Sequence, residues 1–157
     1  MKGQILSQPI IFIFILVVSA LVLAFGIKAV LDLQQRADLI QLTTSVNDLK
    51  DLVETYYSFV EGSNVQTDIS FPSDVKYICI TEKSYFIPEN VKKYDKDIEA
   101  YIKASPDYNL FVVPLKYKIS RFKIPNLKPA LDPVCFLNPL KAVIENKGTY
   151  VEIRNLK

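Results

Sequence analysis

The chain has 157 residues, 19 basic and 17 acidic for a formal net charge of +2, with no His and only four Gly. Nearly balanced charges, mixed along the chain, argue against a strong nucleic-acid footprint, so nucleic acid is not an expected partner. Without His the chain lacks the commonest metal ligand and the commonest general base, and four glycines are too few for most phosphate-cradling loops.

Residues 10–27 read IIFIFILVVSALVLAFGI, an uncharged run with 14 Ile, Leu, Val or Phe side chains. At the usual increments, such a run favours membrane insertion by roughly 4 to 8 kcal/mol, and its length suits a single span. The expectation is a transmembrane helix over residues 9–30, with membrane lipid as its partner, behind a short cytoplasmic N-terminus at residues 1–8. Ser7 or Gln8 can cap that helix, and Pro9 suits its first position, where a missing N–H costs no bond. Lys2 on one flank and Lys28 and Arg36 on the other leave the positive-inside bias close to neutral. Orientation rests instead on the mass behind the run: a short signal anchor translocates the chain on its C-terminal side. The C-terminal domain is therefore expected outside the cell membrane. A cleaved secretory signal is the rival, with small residues at Val18-Ser19-Ala20 and Ala24-Phe25-Gly26. The run exceeds the usual signal core of about 7–15 residues, which favours retention.

Lys2-Gly3-Gln4, followed closely by a long apolar helix, resembles the class III signal peptide of archaeal type IV pilin-like proteins. The resemblance covers about residues 2–60. It implies that a membrane peptidase cuts after Gly3 and leaves Gln4 as the new N-terminus. It also implies partners in copies of the same chain or in other pilin-like subunits. The pattern departs at Gln8, where the family commonly carries a Glu that pairs with a neighbour's N-terminal amine; Pro9 next to it is also unusual.

Beyond the span, Leu39, Leu42, Val46, Leu49, Val53, Tyr56 and Val60 recur at alternating spacings of three and four. At the helical period they share an arc of about 100°. An amphipathic helix over residues 31–61 is expected, its stripe buried by the distal domain and its end set by Gly62. Leu33, Ala37 and Ile40 project to the other side, which suits burial at the membrane interface better than a contact with a neighbouring copy.

Residues 62–157 form the expected extracytoplasmic domain. Residues 75–81, VKYICIT, read as a buried strand, with 84–87 as a hairpin partner. A helix is expected over 88–104, with Val91, Tyr94, Ile98, Tyr101 and Ile102 on one face, then strands over 110–113 and 115–124. Three prolines make residues 127–139 mostly loop, with a short extended piece at 134–137. A closing hairpin pairs 141–145 with 149–154 around Asn146-Lys147-Gly148. The fold class is α+β: a long N-terminal helix packed on a small antiparallel sheet domain, an arrangement similar to pilins.

Cys79 and Cys135 are the two cysteines. In an extracytoplasmic domain an even pair reads as a disulfide; two unconnected buried thiols are the alternative. With no His, neither builds the usual nucleophilic pair or a closed zinc site. Lys116, Lys118, Arg121, Lys123 and Lys128, interleaved with Tyr117 and Phe122, form the only basic cluster. It suits an anionic polymer or lipid headgroups, though lysines on an edge strand also serve simply to prevent mispairing. No cofactor, metal or enzymatic activity is expected, and no small-molecule ligand is specified. The sequence reads as a single-pass, membrane-anchored structural protein, with an anchored binding module presenting the basic strand as the alternative.

Overall fold

The computed structural model describes residues 7–82, 86–116 and 119–156. In chain order the elements are α1 (Ser7–Tyr57), β1 (Asn64–Ile69), β2 (Tyr77–Ile80), α2 (Glu89–Lys92), α3 (Ile98–Lys103), β3 (Leu110–Val113), β4 (Arg121–Phe122), β5 (Leu127–Pro129), β6 (Val134–Leu137), β7 (Leu140–Asn146) and β8 (Val151–Asn155). They fall into two compact units, Met1–Leu39 and Ile40–Lys157, and α1 contributes to both.

In the first unit, α1 is described from Ser7 onward and includes Pro9. The helix interior lacks proline, and its large apolar side chains from Ile10 through Leu33 are exposed.

Among the described residues the second unit holds two four-stranded sheets, ordered β1-β7-β8-β5 and β4-β3-β2-β6. All pairings are antiparallel except β5 with β8, which is parallel. One hydrophobic core joins the inner faces of both sheets: Ile78 and Ile80 of β2, Leu110 and Val112 of β3, Leu140, Ala142 and Ile144 of β7, and Val151 and Ile153 of β8. Leu42, Val46, Leu49 and Val53 of α1 belong to the same core. The opposite face of the second sheet, through Tyr77, Cys79, Phe111 and Val113, is covered by Val91 of α2 and Ile98 and Ile102 of α3. Alternate residues of β2 and β3 thus point into different cores, as a strand with both faces covered requires.

The expected helix over 88–104 is two helices. Asp95 lies between them; one of its carboxylate oxygens accepts the Asp97 N–H at 3.0 Å and the other the Leu115 N–H at 2.8 Å. A side chain engaged with its own backbone two residues on favours a turn over helix, and the Leu115 bond holds that turn in place. Glu99 then secures the start of α2: it accepts the Ile87 N–H at 2.9 Å and pairs with Lys92 at 2.9 Å. Those two bonds hold its carboxyl below the usual carboxylate range, the Ile87 bond contributing most.

The strand expected over 115–124 contracts to β4, and the region of β5, expected as loop, pairs with β8. Of the expected hairpin partner at 84–87, residues 84 and 85 lie outside the described residues and Phe86 and Ile87 are not in a strand; β2 pairs with β3 and β6 instead. β1 arises where no strand was expected; its half-buried Val65, Thr67 and Ile69 alternate with exposed Asn64, Gln66 and Asp68.

The end of α1 also differs. The helix stops at Tyr57, and Val60 lies beyond it, 81% exposed, so the apolar stripe ends at Tyr56. The cause is Asn146, which is only 1% exposed. Its amide donates to the carbonyls of Tyr56 at 2.8 Å, Tyr57 at 3.3 Å and Phe59 at 2.8 Å, while its Oδ1 accepts the Gly148 N–H at 2.6 Å. A helix end leaves carbonyls without partners, and a distant side chain supplies them here. Asn146→Ala removes the three amide bonds, leaves the Tyr56 carbonyl with only the Phe59 N–H at 3.2 Å, and strips a buried polar anchor from the helix end; it is expected to cost about 2 kcal/mol by urea unfolding. A cost below about 0.5 kcal/mol would mean that water replaces the amide freely.

Candidate functional site

The functional candidates are the apolar face of α1, the helix stripe, the cysteine pair and the basic cluster. The first is a surface rather than a pocket. α1 is long and apolar enough to cross a membrane, and its most apolar 18-residue window has no buried share. The large apolar side chains of this run are exposed, and its length is that of a single span. Leu33, Ala37 and Ile40 are exposed as well. Gln8 and Pro9 lie within α1, whereas Lys2, Gly3 and Gln4 lie outside the described residues.

Of the stripe, Leu42, Val46, Leu49 and Val53 are buried, and Leu39 and Tyr56 are half-buried. Ser45, a polar residue on the same face, is buried too. Its hydroxyl lies 2.6 Å from the Ser70 carbonyl and 3.0 Å from that of Gln41, which lets it reach out of the helix to the residue following β1. The periodic pattern gave no sign of Ser45, because a hydroxyl counts as polar until its partner is known.

Cys79 and Cys135 form a disulfide. They are directly opposite one another in the β2–β6 ladder, with Cα atoms 4.0 Å apart. Cys79 is buried in the α2–α3 side of the domain and Cys135 is partly exposed. Beside it a shallow groove of about 430 Å³ is lined in part by Tyr77, Asn90, Phe136 and Asn138. Asn138 is already committed there: its Oδ1 accepts the Phe71 N–H, and its amide donates to the carbonyls of Phe71, Pro72 and Val75.

The basic residues do not share one strand. Lys116 lies before β4 and reaches Asp74 at 3.4 Å, an exposed pair of small energetic weight. Arg121, on β4, donates to the Ser105 hydroxyl, and its guanidinium lies over the rings of Tyr101 at 5.4 Å and Tyr108 at 4.8 Å. Lys123 is exposed. Lys128 belongs to β5 in the other sheet; it contacts Glu82 at 2.8 Å and lies 5.2 Å from the Tyr150 ring centre. The Glu82 bond raises its pKa first of all. Lys118 lies outside the described residues. What separates Arg121 from Lys128 is the turn at Pro125 and Asn126. Asn126 adopts φ 62°, which Asn tolerates better than most residues, and the Asn109 side chain clamps the turn through the Ile124 and Leu127 carbonyls.

Sequence reasoning missed Asn109 and Asn138 and read Asn146 only as a turn residue, yet each holds a loop or helix end. Among the described residues no group of three His, Cys, Asp or Glu side chains is placed to hold a metal ion. Comparison with protein-family models, curated proteins and solved structures gives no match.

Proposed function

We propose that the protein is a single-pass, membrane-anchored structural subunit of pilin-like type, with its distal domain extracytoplasmic, serving as a minor component of a surface filament or secretion-type assembly. The observation that carries this reading is α1: one helix supplies an exposed, uncharged run long enough to span a bilayer and, further along, four side chains of the distal core. Anchor and core element are the same piece of secondary structure, so pulling on one loads the other. The Cys79–Cys135 disulfide supports an oxidising compartment for the distal domain. Recognition in such a subunit rests on buried helix and surface complementarity, and no catalytic step is assigned to it.

The test is the mass of the N-terminal peptide recovered from membranes, with particle size in mild detergent. Cleavage after Gly3 together with oligomers supports the reading. A peptide beginning at Met1 with a monomeric particle removes its pilin-like part.

A further inference from the structure

Each of the two sheets has two edges, and three of the four edge strands are obstructed. β4 is two residues long and carries Arg121, with Lys123 and Pro125 immediately after it. β5 is three residues long and ends in Pro129. β6 lies between Pro133 and Pro139. Short strands, cations and prolines are the usual means of keeping an edge from pairing. β1 has none of them: Asn64–Ile69 contains no Pro, Gly, Lys or Arg, and among the described residues it pairs with β7 alone.

The alternation of β1 determines which groups face outward. The Asn146 N–H donates to the Ser63 carbonyl at 2.9 Å, so Ser63 and, two residues at a time, Val65, Thr67 and Ile69 turn their backbone groups toward β7. Asn64, Gln66 and Asp68 turn theirs away, which leaves three N–H and three C=O groups along the free edge.

We infer that this edge is an interface between two copies of the chain, which pair antiparallel, β1 to β1, about a two-fold axis at Gln66. In that register Gln66 faces Gln66 of the second copy, and Asn64 faces Asp68 twice by symmetry. All three outward-facing residues then exchange backbone bonds, giving six in all. The side chains agree with the pairing: an amide faces an amide, and each carboxylate faces an amide instead of its own copy. Shifting the centre to Asp68 sets the two carboxylates against each other, which is unfavourable. Asp68 also carries a counter-ion into the interface, since Lys141 of β7 lies 3.5 Å from it. On the inner side Val65 faces Thr67 of the second copy, so the half-buried row continues across the axis. The pairing consumes β1 in both copies, so the assembly closes as a dimer instead of running on as a fibre. It lies wholly within the distal domain and does not depend on the anchor reading.

The full-length chain in mild detergent provides the test, with mild oxidation and a non-reducing gel as the readout. Gln66→Cys is expected to give a reducible dimer. Asn64→Cys alone should give none, whereas Asn64→Cys mixed with Asp68→Cys should cross-link. Gln66→Pro removes an N–H that β7 does not use; it is expected to keep cooperative unfolding while weakening the dimer about tenfold or more. Four results overturn the interface: a monomeric Gln66→Cys, equal cross-linking by Asn64→Cys alone, an unchanged dimer in Gln66→Pro, or cross-links only to a different protein. Association through α1 alone would survive Gln66→Pro and show no register dependence, and cleavage after Gly3 is read separately.

Discussion

Leu49→Ala is expected to destabilise the distal unit by about 2–5 kcal/mol, the range for emptying a fully buried leucine site. Leu49 is fully buried on the α1 stripe among residues from both sheets, so little can collapse into the gap. Ile40→Ala, on the same helix but exposed, is expected to change stability by no more than about 0.5 kcal/mol. Urea unfolding of the two variants side by side, followed by near-ultraviolet circular dichroism of the tyrosines, measures the difference. Equal and small losses would mean that the stripe is not part of the folded core.

The second large effect belongs to the disulfide. Replacing Cys79 and Cys135 together by Ala reopens a loop with a sequence separation of 56 residues. In the chain-entropy account this costs about 4 kcal/mol, a large share of the roughly 5–15 kcal/mol that holds a domain of this size. The β2–β6 ladder must then rely on its backbone bonds, and β6, an edge strand, is where unfolding should begin. The denaturation midpoint with and without reductant, together with that of the double variant, provides the check. Identical midpoints would show that the link adds nothing to stability.

Much of the architecture was legible wherever one side chain's environment was set by its near neighbours. The stripe through Leu42, Val46, Leu49 and Val53 follows helical period, and β3 and the β7–β8 hairpin read directly from apolar runs separated by Asn146-Lys147-Gly148. The even cysteine pair also signalled its link. What could not be read was fixed at a distance. β1 was hidden because Thr67 replaces an apolar residue in its inward row and because β7, its one partner among the described residues, lies about 70 to 80 positions on. The helix over 88–104 kept a helical period across its break; Asp95 interrupts it by bonding to Leu115. The basic cluster looked continuous because sequence proximity does not reveal that Asn126 carries the chain from one sheet to the other.

Asn146 has a further consequence for the order of events during synthesis. The carbonyls it satisfies lie about 90 positions earlier in the chain. While the ribosome is still making the intervening strands, the last turn of α1 has only the local bonds from Ser58 and Phe59 and water in place of the Asn146 amide. β7, which carries Asn146, is also a central strand of its sheet. The apolar part of α1 can thus be delivered to its final environment long before its other end is closed. Until β7 emerges, the row from Leu42 to Val53 lacks Leu140, Ala142 and Ile144 from its core and is incompletely covered, open to proteases and to chaperones. A chain stalled or truncated before residue 146 should accordingly be recognised as unfinished, even with its first forty residues in place.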